Sequence, residues 1–331
     1  MFTIFFLVLN LFIIFNFDLI KNNIKIYDYP DLDRKFHKNP VFIGGGIIIF
    51  INYILLIIST AFSKDNQFFV NLDSNYNYST WLVGPALIFL IGLYDDKKNL
   101  SGNIKFILLS ITYLLILKLD NTLIIQNLEF VSFPFNINLG IYSFLFSYLC
   151  LMIFSNALNM LDGINLQAGL YTLIIFLYIL TKVGFSYDLG IIILSIITYL
   201  YLNYKQKTFL GDSGTYLLSY IISIIFIKSY NAERTFLCDE IFMMMILPGL
   251  ELIRLFSIRV INGKNPLSPD RQHIHHLLQN KFKNLNFVHI SLIVNFFYFV
   301  FCSIFLIYSN IIIIFIAILF YILTTNLILK N

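Results

Sequence analysis

Hydrophobic runs long enough to cross a bilayer recur along nearly the whole of this 331-residue chain, and that repetition leaves few folds open. A helix needs roughly 17–25 mainly apolar residues to span the hydrocarbon core, where every backbone polar group must be satisfied internally. Helical bundles and closed β-barrels both meet that condition, but a barrel strand is short and alternates in polarity. The chain is 59% hydrophobic and 12% charged, whereas a soluble domain carries about a quarter charged residues. The expected fold is therefore all-α, a polytopic membrane bundle of about 10–11 transmembrane helices. The bilayer is its surroundings, and no nucleic-acid partner is expected.

Apolar windows place spans near residues 2–20, 41–62, 81–94, 103–119, 141–157, 166–182, 188–203, 213–229, 239–256, 288–308 and 310–329. No internal repeat, low-complexity tract or soluble domain interrupts them, so 1–331 reads as one integral-membrane domain. The first twenty residues have no basic residue ahead of their apolar run and no small-residue cleavage site; they read as a span rather than a removable leader. Cys150, Cys238 and Cys302 are too far apart in sequence to suggest a disulfide framework or a thiolate metal site. If the N-terminus faces outward, 17 of the 22 Lys and Arg residues fall on one side, leaving Lys64, Lys118, Lys182, Lys228 and Arg234 on the other. The positive-inside rule makes the richer side cytoplasmic, with loops near 21–40, 95–103, 157–166, 203–213 and 256–288. Every unusual polar cluster lies on that side, so the active site is expected at the cytoplasmic face of the cell membrane.

Five such clusters carry chemistry. In YDDKKNL (94–100), Asp95 and Asp96 are adjacent carboxylates that either recruit a cation or end a helix in solvent. Lys105 lies at the start of the next span, where its ammonium meets a lipid phosphate or simply snorkels. In NALNMLDGIN (156–165), Asn156, Asn159 and Asp162 share one helical stripe of oxygen donors suited to a hard cation, though a helix end with a left-handed Gly163 also accounts for the glycine. FLGDSG (209–214) sets Asp212 at a helix start, where free N–H groups favour phosphate and the carboxylate can hold a cation; an ordinary N-cap is the alternative. SPDRQHIHHLL (268–278) gathers His273, His275 and His276 beside Arg271. With no Cys or HExxH partner, it fits an anion better than zinc. His37, with Arg34 and Lys35, is either another anion contact or part of the charge asymmetry.

Taken in order and spacing, these motifs resemble those of the polyprenyl-phosphate N-acetylhexosamine-1-phosphate transferases. The shared pattern runs through Asp28, Pro30, Arg34, Lys35, His37, Pro40, Gly44 and Gly45, then DDxxxL with Lys105, NAxNxxDGI, FLGDSG and the loop GKNPLSPDRQHIHHLL. The resemblance implies an Mg²⁺-dependent enzyme, with Mn²⁺ as substitute. It would transfer a sugar-1-phosphate such as GlcNAc-1-phosphate from a UDP-N-acetylhexosamine to undecaprenyl phosphate, releasing UMP and starting a lipid-linked surface glycan. It further implies Asn159 and Asp212 as metal ligands, with Asp95, Asp96, Asp162 and Asp212 as the catalytic carboxylates. Lys105 would meet the carrier phosphate. Asn165 and Asn156 would face the nucleotide, and Arg271, His273, His275 and His276 the diphosphate. A homodimer through membrane helices is the family expectation.

The chain departs from the pattern at Leu166 and Gln167, where bacterial members usually continue Asp-Gly-Leu, and at Glu251, where many have Asp. The segment LNYKQKT (202–208) is one residue short. These departures bear on nucleotide geometry and sugar preference. Transfer of phospho-N-acetylmuramoyl-pentapeptide ranks below, because that branch usually carries three consecutive histidines followed by Glu. An ion-coupled transporter would place its polar residues near the membrane midplane, with internal repeats.

Overall fold

The computed structural model describes residues 2–30, 39–60, 69, 72, 77–266, 272–282 and 284–329. The first apolar segment is broken: α1 (Phe2–Phe15) and α2 (Phe17–Ile24) meet at Asn16 with a bend of 73°. The sequence pattern predicts one straight span over 2–20. The bend follows from α2 itself, whose Asp18, Lys21, Asn22 and Asn23 suit it poorly to hydrocarbon. Next come α3 (Gly45–Thr60), α4 (Gly84–Lys98), α5 (Gly102–Leu119), α6 (Ser143–Leu161), α7 (Gln167–Val183) and α8 (Tyr187–Tyr204). The chain continues through α9 (Gly211–Glu233), α10 (Cys238–Ile261), the short α11 (Ile274–Lys281), α12 (Phe287–Tyr308) and α13 (Ile311–Leu329). Among the described residues six helices are long and apolar enough to cross a membrane alone, and a seventh is added if the bent pair counts as one span. The others are shorter or more polar, and the protein is a multi-pass membrane bundle.

Burial explains which helices stay polar. The most apolar of the six, α13, has 22% of its length buried, and the least apolar, α8, has 61%. A lipid-facing helix must be apolar, whereas one enclosed by protein can carry hydroxyls and amides and bond them to its neighbours. The extreme case is α9, buried without a break from Ser213 to Tyr230 and packed against α3, α4 and α6. Its Ser219 hydroxyl bonds Ser155 of α6 at 3.0 Å, and its Tyr220 hydroxyl donates to the Thr80 carbonyl at 2.9 Å. Asn10 of α1 and Asn52 of α3 exchange amide hydrogen bonds at 2.8 and 3.3 Å.

Pro248 lies inside α10 and removes the N–H that would bond the Met244 carbonyl. That carbonyl accepts instead from the hydroxyls of Tyr171 in α7 at 2.8 Å and Tyr298 in α12 at 2.7 Å. Two neighbouring spans therefore complete what the proline left open, as the absence of water in the bilayer demands.

The apolar pattern does not announce a small sheet at one end of the bundle. There β1 (Tyr27–Asp28) pairs antiparallel with β2 (Val41–Ile43), which pairs parallel with β5 (Thr208–Phe209) in the register Phe42 to Thr208. The Thr208 hydroxyl donates to the Phe42 carbonyl at 3.1 Å and accepts the Gly44 N–H at 2.9 Å. This ties the segment after α8 to the head of α3, and so fixes where α9 begins. At the other end, β3 (Asn127–Glu129) and β4 (Asn136–Asn138) form an antiparallel hairpin.

Candidate active site

The C-termini of α4 and α6 and the N-termini of α5 and α9 meet at one end of the bundle, around a cleft of about 470 Å³. A cleft of that size can bury a small-molecule ligand. Its walls bring together Asp95, Asp96, Lys105, Asp162, Asn165 and Asp212, residues up to 117 positions apart in the chain.

Each carboxylate is placed by a local device. The helix α4 ends where Asn99 turns left-handed, with φ 52°, and the Asn99 N–H bonds the Asp95 carbonyl at 2.8 Å. Asp95 Oδ1 accepts the next free N–H, that of Leu100, at 2.6 Å, which leaves Oδ2 for Lys105 at 2.6 Å. Lys105 also stands 2.8 Å from Asp212 Oδ2. Its ammonium is thus turned into the bundle between two carboxylates and does not snorkel. Asp96 caps α9 from another helix: its oxygens accept the N–H groups of Asp212 at 2.7 Å and Ser213 at 3.1 Å, and the Ser213 hydroxyl at 2.6 Å. Those are free donors of a helix first turn. The approach requires glycine at 211, where φ is +77° and a Cβ would lie 2.7 Å from Asp96 Oδ2.

The amide Nδ2 of Asn159 donates to Asp212 Oδ1 at 2.9 Å and to the Thr215 hydroxyl at 3.1 Å. Asn156, expected on the same stripe, is nearly a turn deeper and outside the cleft wall, with its Nδ2 bonded to its own helix at the Met152 carbonyl, 2.7 Å away. The depth explains this, because an amide without a cross-helix partner satisfies itself on the carbonyl four residues back. Asp162 follows the end of α6 in the turn. Burial, reinforced by the charges of Asp212 and Asp96, pushes its carboxyl up to about 8. Among the described residues, Asp95 and Asp212 thus share the Lys105 ammonium, with Asp28, Asp96 and Asp162 also on the cleft wall. Among the described residues no three His, Cys, Asp or Glu side chains form a ready-made metal cage.

The left-handed residue of this turn is Leu166, with φ 69°, and not Gly163. Asn203 holds the turn: its Oδ1 accepts the Leu166 N–H at 2.7 Å, and its Nδ2 donates to the Thr208 carbonyl at 2.6 Å. Gly163 is glycine for a different reason, since a Cβ there would come 2.0 Å from His275 Nε2. His275 is buried behind the turn and its ring stacks on that of His273, with centroids 5.2 Å apart. Neither ring forms part of the cleft wall. Arg34, Lys35, His37 and Arg271, and the side chain of His276, lie outside the described residues. Sequence reasoning missed Asn203, Thr208 and the wall residues Phe209 and Phe287 as parts of the site. An Asn in the last turn of an apolar span, ahead of a two-residue strand, was the available signal for the first two.

The sequence profile of glycosyl transferase family 4 matches residues 78–230, which contain Asp95, Asp96, Asp162, Asp212 and Lys105. Among curated proteins, a probable undecaprenyl-phosphate N-acetylglucosaminyl 1-phosphate transferase of Bacillus subtilis is 28% identical over 268 residues, 76% of this chain and 69% of its own length. The undecaprenyl-phosphate alpha-N-acetylglucosaminyl 1-phosphate transferase of Salmonella typhi is 23% identical over 270 residues, covering 77% and 69% of the two chains. Its counterpart in Escherichia coli K12 is 23% identical over 285 residues, covering 82% and 74%. The chain is thus similar in sequence to these transferases, and its similarity to the glycosyl transferase family 4 profile runs through the carboxylate cluster itself.

Proposed function

We propose that this protein transfers N-acetylhexosamine-1-phosphate from a UDP-sugar to undecaprenyl or another polyprenyl phosphate, at the cytoplasmic face of the cell membrane. The observation that carries the reading is the gathering of Asp95, Asp96, Asp162 and Asp212 with Lys105 at one cleft. Its relatives are named for this kind of transfer. An oxygen of the carrier phosphate forms a bond to the β-phosphorus of the donor. The bond from that phosphorus to the bridging oxygen breaks, and UMP leaves with that oxygen.

Phosphoryl transfer depends on in-line positioning and charge neutralisation more than on covalent help. Mg²⁺, with Mn²⁺ as substitute, fits the donor set. Asp212 and Asp95 offer carboxylate oxygens to either side of Lys105, and Asn159 is within hydrogen-bond reach of Asp212. Hard cations prefer such oxygens, and a half-turn of the Asn159 amide, whose O and N are nearly isosteric, presents its Oδ1. When bound, the ion supplies charge neutralisation to the transferring phosphoryl group. Lys105 then engages the carrier phosphate. That phosphate is already ionised, so Asp95 positions it and removes no proton. Asp96 holds the first turn of α9 and with it Asp212. Asn165, on the cleft wall with Phe209, takes the nucleobase. His273, His275, His276 and Arg271 serve the diphosphate, and Arg34, Lys35 and His37 are further anion contacts.

The test is UMP release by purified protein with undecaprenyl phosphate and Mg²⁺, across a panel of UDP-sugars. Release with at least one UDP-N-acetylhexosamine is expected. No release with any of them removes the proposal.

A further inference from the structure

The groups that hold the histidine helix lie outside the cleft. Glu251 sits in α10 one turn beyond Pro248, with 1% of its surface exposed. Its Oε1 accepts the Ile274 N–H, at the start of α11, at 2.8 Å and Arg254 Nη2 at 2.8 Å. Its Oε2 accepts Arg254 Nε at 3.2 Å and the hydroxyl of Tyr321 in α13. His273 Nδ1 lies 3.6 Å from the same carboxylate, and Arg254 also donates to the Gln272 carbonyl. One carboxylate thus joins two spans to the first turn of a helix that carries His275 and His276 and is preceded by His273.

The other end of this connection is the active-site turn. His275 follows Ile274 directly, and its ring lies so close to Gly163 that a Cβ there would be 2.0 Å away. Asp162 is the neighbour of that glycine. A buried ion pair rarely improves stability over well-packed apolar side chains, so burying Glu251 and Arg254 calls for a role beyond holding spans together. A free helix-start N–H and the backbone just ahead of the histidines are what this pair binds.

We propose that Glu251, anchored by Tyr321 and Arg254, is a positioning residue: it sets the distance of the histidine helix from the Asp162–Gly163 turn and thereby the affinity for a diphosphate-bearing donor. The ligand half of this statement rests on the function proposed above; the geometric half does not. It also accounts for Glu rather than Asp at this place, because the longer side chain reaches the Ile274 N–H from within α10.

Hydrogen exchange and steady-state kinetics on the full-length protein in detergent test both halves, with Tyr321→Phe, Glu251→Gln and Glu251→Ala. Exchange is measured without substrate over residues 273–278 and, as reference, over 211–216. In Tyr321→Phe the first segment should exchange about tenfold faster and the second should not change. KM for the UDP-sugar should rise about 3- to 10-fold with kcat within about twofold, the signature of lost ground-state binding. Glu251→Ala should exceed both effects, and Glu251→Gln, which keeps an acceptor for Ile274, should fall between the two. Unchanged exchange at 273–278 in Tyr321→Phe and Glu251→Gln overturns the clamp. So does a loss of protection spread evenly over both segments, which marks a merely structural role. Local loosening with no change in KM overturns the link to the donor. If the parent protein releases no UMP, the proposed function falls while the exchange result still decides the clamp.

Discussion

The two polar ends of this bundle use the same residue types in opposite ways. Away from the cleft, three carboxylates have their own cations, while the buried Asp239 accepts the Val131 and Ser132 N–H groups. Asp120 and Lys228, each 2% exposed, pair at 2.9 Å, and Asp120 also accepts the Thr122 N–H and the hydroxyls of Thr122 and Thr80. Glu240 pairs with Lys182 at 2.6 Å and accepts the Leu237 N–H at 2.8 Å, and Glu129 pairs with Arg234 at 3.1 Å. At the cleft, Asp28, Asp95, Asp96, Asp162 and Asp212 all line the wall, and among the described residues Lys105 is shared by Asp95 and Asp212. Charge matched one to one is settled within the protein and contributes to holding spans together. Charge left in excess is what the proposed function would use for a cation and a phosphate, and active sites commonly forgo local stability in this way.

The strongest test of that contrast is at Asp212. Asp212→Asn should lower transfer by about three orders of magnitude or more, measured as UMP release, because it removes a carboxylate proposed to hold the cation that would neutralise the transferring phosphoryl group. Asp95→Asn sharpens the result: near-normal turnover there rules out proton abstraction by Asp95. The opposite end should respond in stability. Lys228→Met leaves Asp120 buried without its cation and should cost about 3–5 kcal/mol in thermal or denaturant unfolding, while turnover per folded molecule stays unchanged. A turnover loss at full stability would erase the distinction between the ends.

Gly163→Ala probes the seam between the histidine helix and the carboxylate turn. The added methyl forces His275 away, and transfer should fall about 10- to 100-fold, as when an outer partner of a metal site is lost. His275→Ala makes room for that methyl, so the double variant should lose less than the two single losses combined; additivity would separate the two residues. The smallest effect concerns pH. Folded Asp162 holds its proton up to about 8, against an ordinary value of 3.8. Between those values the folded protein binds a proton that the unfolded chain has released, so its stability falls as pH rises through that window and then levels off. Asp162→Asn removes the Asp162 share of the dependence and leaves that of Asp95 and Asp96, both also raised, to about 7, chiefly by burial. In metal-free buffer its melting temperature relative to the parent should climb from about pH 5 to pH 8.

The membrane bundle was legible because span length and hydropathy are set locally by the bilayer. Asp95, Asp212, Asn159 and Lys105 were legible because they sit at span ends, where polar residues stand out. Asp96 was read as a second catalytic carboxylate, and only the packing of α4 against α9 reveals it as the cap of Asp212's helix. Asn156 shared the periodicity of Asn159 without its partner, because periodicity gives a face and not a depth. The bend at Asn16 and the three-stranded sheet escaped because both involve runs of a few residues, too short for any periodic signal.

By itself the sequence determined that this chain must hide its backbone in helices and keep its charges at their ends, since hydrocarbon tolerates nothing else. It also singled out the polar residues at the span ends, several of which the fold gathers at one cleft. Tertiary structure alone decided which of those charges were matched. Which groups Lys105 and His275 lie against in the fold, here two carboxylates and a glycine, depends on distances between helices far apart in the chain. Electrostatic energy depends on those separations, and no local pattern of residues encodes them.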